Sequence, residues 1–233
     1  MGHLGTLYIV ATPIGNLQDI TLRAIRLLKE TEYITCEDTR KAHILLKSIG
    51  AEKNKFLISY FEGKEDERIP KIINLLKNGK DVALISDAGT PGISDPGFRV
   101  VRSALNEGIA VRTLPGPSAG ISGLVISGLP TDKFIFLGFP PQKGGNRKRL
   151  FTNLKEVLKI IETTVIIYES PHKILRTLKN LEEIFGDIEV VIERELTKIH
   201  EEVVRAKISE FLDKYSRNKV KGELMILFSL KRL

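Results

Sequence analysis

The chain has a single cysteine, Cys36, and no tryptophan. One thiol excludes an internal disulfide and any multi-cysteine zinc site, and the four scattered histidines do not replace one, so no metal is expected. No apolar run is long enough to span a bilayer and no N-terminal stretch has the apolar centre of a secretory signal. The expectation is a soluble, cytoplasmic protein with no membrane partner. Neither G-x-G-x-x-G nor G-x-x-x-x-G-K-[ST] occurs, which leaves an ordinary dinucleotide site and a P-loop without support. Internal repeats and low-complexity segments are also absent. Cys36 lies in the strand-like run Y-I-T-C-E-D, where it reads as a small buried hydrophobe rather than a nucleophile.

What is present is a basic chain with material for a real core. Apolar residues make up 42% of its 233 positions, enough for one large domain or two small ones. The formal charge of +7 suggests a polyanionic partner without specifying it. Its distribution says more. Residues 133–155 contain Lys133, Lys143, Arg147, Lys148, Arg149 and Lys155 without one Asp or Glu, and P-P-Q-K-G-G-N-R-K-R within them reads as an exposed loop. Either it contacts phosphate or it is a solvated basic surface.

The densest signal is S-D-A-G-T-P-G-I-S-D-P-G at 86–97, which follows the apolar run Val82 to Ile85 and precedes the helical pattern of Phe98, Val101 and Leu105. Gly89, Gly92 and Gly97 allow close approach or positive φ, while Pro91 and Pro96 stiffen the loop. Asp87, Thr90, Ser94 and Asp95 offer hydrogen-bonding groups. A loop between a buried strand and a helix is where α/β proteins hold ligands, and so many breakers exceed what a turn requires.

Around this loop the first half alternates strand and helix: strands at 6–13, 33–38 and 56–61, helices near 19–30 and 41–48 and one carrying Ile69, Ile72, Ile73 and Leu76. Strands apolar on both faces imply a mostly parallel sheet with helices on both sides. L-P-G-P-S-A at 114–119 then interrupts regular structure, so 1–113 is expected to be an N-terminal α/β domain, 114–118 a linker and 119–233 a C-terminal α/β domain. A-G-I-S-G-L-V-I-S-G at 119–128 reads as a close-packing small-residue helix with Ser118 as a possible N-cap. Strand-like runs at 134–139, 163–169, 189–194, 202–207 and 223–230, with helices near 147–161, 172–185 and 208–216, imply a mixed sheet.

With the loop at 86–97, the segments V-A-T-P-I-G-N-L-Q-D-I at 10–20, C-E-D-T-R at 36–40, L-P-G-P-S-A at 114–119, Y-E-S-P-H-K at 168–173, E-R-E-L-T-K-I-H-E-E at 193–202 and K-G-E at 221–223 form a set. In this order they closely resemble the tetrapyrrole methylase superfamily, in the branch that methylates small-subunit ribosomal RNA. That resemblance implies a two-domain α/β fold with a ligand cleft between the domains, S-adenosylmethionine as donor, 2′-O-methylation of a cytidine in 16S ribosomal RNA of the small subunit, and a homodimer. Many members continue into a further C-terminal helical segment, whereas this sequence ends at Leu233.

By the same resemblance, Pro13, Gly89, Thr90, Ile93, Ser94, Ser118 and Ala119 are expected to hold the donor, with Tyr168 and Gly222 packing on its adenosyl group or serving structure alone. Ser118 near a helix start suits a carboxylate. A ribose hydroxyl is a poor nucleophile, so a proton acceptor should help, and Asp38, Asp87, Asp95 and Lys198 are the candidates. Arg40 either pairs with Asp38 or holds a phosphate. Lys143, Arg147, Lys148, Arg149 and Arg194 are candidate RNA contacts, Glu201 joins Arg194 and Lys198 in a polar segment, and His172 either touches RNA or begins a helix. Competing readings are a methyltransferase of this fold acting on a tetrapyrrole or a protein, and a non-catalytic RNA-binding or ribosome-assembly protein.

Overall fold

Alternation along the short apolar strands decides which layer each side chain joins. In the run at 82–85, Val82 and Leu84 pack into one buried cluster and Ala83 and Ile85 into another, the period of two that an extended backbone imposes. The computed structural model describes residues 3–218 and 220–231. Its contacts divide the chain into two units, Met1–Ser118 and Ala119–Leu233.

The first unit runs β1 (Thr6–Val10), α1 (Leu22–Glu30), β2 (Tyr33–Cys36), α2 (Thr39–Ser48), β3 (Phe56–Ser59), α3 (Glu65–Lys77), β4 (Val82–Leu84), α4 (Phe98–Asn106) and β5 (Ala110–Leu114). Its five strands are all parallel, in the order β3-β2-β4-β1-β5. Leu28 of α1 and Leu46 of α2 pack with Val10, Ile34 and Ile85 on one face. Ile72 and Leu76 of α3 and Val100 of α4 pack with Leu7, Val82 and Leu84 on the other. Helices therefore cover both faces of a parallel sheet, as two-sided apolar strands require. Thr21 caps α1 by accepting from Ala24 N at 3.1 Å, and Asp38 caps α2 by accepting from Arg40 N at 2.8 Å.

The strands are shorter than the apolar runs that encode them. β1 stops at Val10 because Thr12 N turns away to donate to Gly89 O at 2.8 Å. At the other boundary Leu114, expected in the linker, pairs with Val10 and closes β5. Pro115 follows, and its missing N–H ends the ladder.

The second unit runs α5 (Ala119–Ile126), β6 (Phe134–Phe136), α6 (Gly144–Ile160), β7 (Thr164–Glu169), α7 (Ile174–Phe185), β8 (Glu189–Arg194), β9 (Glu202–Lys207), α8 (Ile208–Arg217) and β10 (Leu224–Phe228). The sheet is mixed, ordered β6-β7-β10-β8-β9, with β6 and β7 parallel and the other neighbours antiparallel. Phe151, Leu178 and Phe211 from α6, α7 and α8 bury one face against Val165, Ile192 and Phe228. Each such side chain contributes about 2 kcal/mol of burial. Leu124 of α5 packs on the other face against Ile166, Val191, Met225 and Leu227.

One expectation is overturned here. Arg147 does not face solvent or RNA: it is 5% exposed in α6. Its Nε donates to Asn180 Oδ1 at 2.8 Å and its Nη1 to the carbonyls of Pro141 and Gln142, both at 3.3 Å. The helix begins at Gly144, within the basic run expected to be a loop, and carries Arg147 to its inner side. There it joins α6 to α7. Arg147→Ala is expected to lower unfolding free energy by about 2–4 kcal/mol, because the buried Asn180 and two part-buried carbonyls lose a charged donor. Denaturant unfolding measures this as a lower midpoint.

Candidate active site

The connections leaving β1 and β4, neighbours in the first sheet, run toward opposite ends of the strand order. Such a switch point opens a crevice at the carboxyl ends of the strands. Here the two loops are bonded to each other. Thr12 N donates to Gly89 O at 2.8 Å and Gly89 N to Thr12 O at 3.1 Å, an isolated antiparallel bridge. The hydroxyl of Thr12 donates to Ser86 O at 3.2 Å and that of Ser86 to Ala88 O at 3.1 Å, both side chains buried.

The segment after β5 joins them. Thr90 Oγ1 donates to Pro117 O at 3.2 Å, and Gly116 lies so near Ala11 that a Cβ would stand 3.0 Å from the alanine methyl. Gly89 needs its φ of +76° for the bridge, and a Cβ on Gly97 would stand 2.9 Å from Gly92 N. Ser94 holds a positive φ of 61° without being glycine. Pro13 and Gly89 are buried, Thr90, Asp95 and Ser118 are half-buried, and Ile93 and Ser94 are exposed. The expected donor residues of this unit thus sit on one stitched set of loops. Peptide groups, hydroxyls and the apolar Ile14 and Ile93 are what this set offers to a nucleoside.

Beside that set stands a cluster of acids. Asp87 Oδ1 accepts from Asp38 N at 3.1 Å and Oδ2 from Lys41 Nζ at 2.8 Å, while Glu37 Oε1 accepts from Asp87 N at 3.3 Å. Arg40 grips Asp38 with two bonds, Nε to Oδ1 at 3.0 Å and Nη2 to Oδ2 at 2.7 Å. That bidentate pair and the cap hold the Asp38 carboxyl well below the usual range. Burial pushes the Cys36 thiol up to about 12, with Asp87 adding to the effect, so this thiol is inert at neutral pH.

In the second unit, Tyr168, Met225, Glu193 and Val203 form one row across β7, β10, β8 and β9. The row lies under α5. Tyr168 Oη accepts from Gly120 N at 2.9 Å, its ring meeting Phe136 and Phe139 edge-on at 4.8 and 5.7 Å. Glu193 is 1% exposed and presses on Gly123, where a Cβ would stand 2.0 Å from its Oε2. Neither of its oxygens has a hydrogen-bond partner among the described residues. Burial raises its pKa to about 7, against an opposing pull from Arg205. Arg205 donates through Nε to Ser127 O and through Nη2 to Ile126 O, both at 2.7 Å, capping the end of α5.

The polar segment after β8 is locked by its own bonds. Lys198 Nζ donates to Glu195 Oε1 and Glu223 Oε2, both at 2.9 Å, and its pKa is raised: burial works against the charge and the two carboxylate bonds outweigh it. A proton-accepting lysine must be neutral, and this one is held charged. Gly222 has φ +91°, and a Cβ there would stand 2.6 Å from Glu195 Cγ. Arg194 Nε donates to Glu202 Oε2 at 3.0 Å. Lys148 pairs with Glu183 at 2.7 Å, whereas Lys143 and Arg149 are exposed without an ion pair among the described residues. His172 is exposed before α7. A groove of about 710 Å³ between α3 and α4, lined by Ile69, Pro70, Phe98 and Arg102 among others, includes no residue of the loop at 86–97.

The model of the tetrapyrrole (corrin/porphyrin) methylases matches residues 6–212. The chain belongs to that family. The methylase is 49% identical over 224 residues to ribosomal RNA small subunit methyltransferase I of Hydrogenobaculum sp. (strain Y04AAS1), covering 96% of this chain and 95% of the relative. Identity is 46% over 228 residues to the protein of that name from Thermotoga maritima, covering 98% and 100%, and 45% to that from Streptococcus pyogenes serotype M1, of which it spans 76%. These identities put it in the ribosomal RNA small subunit methyltransferase I family. Among solved structures, a cobalt precorrin-4 methyltransferase superposes with TM-score 0.71 at 17% identity, covering 95% of this chain and 93% of that one. A uroporphyrin III C-methyltransferase from Thermus thermophilus gives 0.66 at 21%, covering 96% and 97%. These two likenesses show the fold alone.

Sequence reasoning missed Glu193, Arg205 and Lys41 of the methylase. The signal for Glu193 was parity, since Val191 and Glu193 share the face that Val190 and Ile192 do not. Between the free value near 4.5 and about 7, the folded methylase keeps a proton that the unfolded chain has released. Stability from this group is complete below 4.5 and is lost as pH rises to 7. Glu193→Gln is therefore expected to exceed the parent in stability by up to about 3 kcal/mol at pH 8 and to match it near pH 4. Denaturant titrations at both pH values check this.

Proposed function

We propose that the methylase transfers a methyl group from S-adenosylmethionine to the 2′-oxygen of a cytidine in the 16S RNA of the small ribosomal subunit. The observation that carries this is 49% identity to a ribosomal RNA small subunit methyltransferase I along 96% of the chain. Pro13, Gly89, Thr90, Ile93 and Ser94 are proposed to hold the adenosine and methionine portions of the donor through loop peptide groups. Ser118 and Ala119 at the start of α5 take its carboxylate, since a helix N-terminus favours an anion. Tyr168, which orders the first turn of α5, and Gly222 are its proposed neighbours in the second unit.

The bound donor supplies an activated methyl on a sulfonium. The protein has to place the ribose oxygen in line with that methyl, and orientation supplies most of the acceleration. A carboxylate then takes the hydroxyl proton as the new bond forms. Of the four candidates, Lys198 is held charged and Arg40 holds the Asp38 carboxyl well below the usual range; Asp87, itself bonded to Lys41, and Asp95 lie on the loop of the proposed donor site, so the reading assigns this role to them. Lys143 and Arg149, with the outward side of Arg40 and Arg194, are proposed phosphate contacts. A cytoplasmic homodimer is the proposed assembly. Ile121, Val125 and Ile126, exposed along α5, support it, because a lone copy leaves them in water.

Labelled S-adenosylmethionine and unmodified small subunits test this directly. After digestion, label is expected on 2′-O-methylcytidine; label on a base, on protein or nowhere overturns the reading. Label on a tetrapyrrole instead would favour the chemistry named for the solved neighbours. Arg149→Ala is expected to weaken RNA binding and flatten its salt dependence by about one unit of slope. Asp95→Asn is expected to lower turnover with donor affinity nearly unchanged.

A further inference from the structure

We infer that Glu193 sets the pH range over which the methylase binds its donor, by placing or withholding a negative charge beneath α5. The inference rests on the reading that the donor's carboxylate lies at the start of that helix. Three observations carry it. Glu193 is 1% exposed with neither oxygen hydrogen-bonded among the described residues. Its carboxyl lies against Gly123, where the absence of a side chain lets it touch the helix. Gly123 is one turn from Gly120, whose N–H is fixed by Tyr168, and about 6 Å along the axis from Ala119.

The groups facing Glu193 offset its charge only in part. α5 contributes no ionisable side chain between Ala119 and Ile126, β10 contributes Met225, and β7 the phenol of Tyr168. Arg205 on β9 pulls on it and keeps its own charge, but its bonds from Nε and Nη2 to the carbonyls of Ser127 and Ile126 hold that charge at the far end of α5, away from the helix start. Glu201, in the segment before β9, adds charge of the same sign. A protonated Glu193 therefore leaves the positive end of α5 available to an anion. An ionised one opposes both the helix end and the incoming carboxylate, across a dry interior where screening is weak.

Calorimetric titration with S-adenosylhomocysteine, which carries the donor's carboxylate but no transferable methyl, tests this from pH 6 to 9 on the intact protein. The ligand's own α-amino group titrates in this range, so parent and Glu193→Gln are compared. The parent is expected to lose about tenfold more affinity than the variant over that interval. Methylthioadenosine, which lacks the carboxylate, is expected to bind with an affinity that does not fall with pH. Measured on both proteins at each pH, it shows that each is folded where the affinities are compared. Parallel profiles for parent and variant, or an equal fall for methylthioadenosine, overturn the inference while leaving the donor reading standing. Absence of binding by either ligand at every pH overturns the donor reading and this inference with it.

Discussion

The bridge between Thr12 and Gly89 is the constraint on which the proposed site depends. Two backbone hydrogen bonds join loops that are 77 residues apart in sequence, and they form only because Gly89 holds a φ of +76°. Everything nearby is arranged to keep that geometry. The hydroxyls of Thr12 and Ser86 satisfy carbonyls within the turn, Thr90 reaches the segment after β5, and Gly97 lets the loop close on Gly92. A loop of this length left to itself would lose its shape to entropy. Bonded at Gly89 and stiffened by Pro91 and Pro96, the loop has its peptide groups held in place, and preorganisation of this kind reduces the cost of binding.

The second unit solves a different problem. α5 is almost wholly apolar, yet the sheet beneath it presents a phenol and a carboxyl. Glycines at Gly120 and Gly123 let both polar groups come within reach of the helix backbone, and Arg205 completes the far end. The helix is thereby fixed at its first turn and its last by hydrogen bonds, and in its middle by packing of Leu124 on Ile166 and Val191. Of these contacts only the one at Glu193 carries an unsatisfied group. An unpaired carboxyl in such a place costs a few kcal/mol when charged and much less when neutral, so its protonation is part of how the helix is seated.

Much of this architecture could be read from residue order. The strands at 189–194 and 202–207 and the helix begun by the run at 208 stand near where the sequence pattern puts them, because short β-branched runs are bounded there by polar turns. What could not be read is pairing across long separations. Arg147 sits among five other cations, and nothing local says that it alone turns inward to meet Asn180, which lies 33 residues on. Lys198 looks like a free base until Glu223, 25 residues away, closes on it. Glu193 continues an apolar strand in perfect parity, so its burial was implied, but the glycine that admits it belongs to another element.

These pairings also change what the acids and bases of the chain can do. Proton transfer is favoured when donor and acceptor pKa values approach one another, and a strong ion pair moves a group away from that condition. Arg40 makes Asp38 a weaker base than a free carboxylate, and the two glutamates around Lys198 keep its proton in place. The same bonds give these residues a structural use: Asp38 starts α2, and Lys198 braces a segment in which Glu195 and Thr197 both hold positive φ. A motif can therefore contain an acid or a lysine for the sake of loop geometry while the chemistry falls to its neighbours. In the proposed reading those neighbours are the acids of the stitched loop, which the same backbone bonds hold beside the proposed donor site.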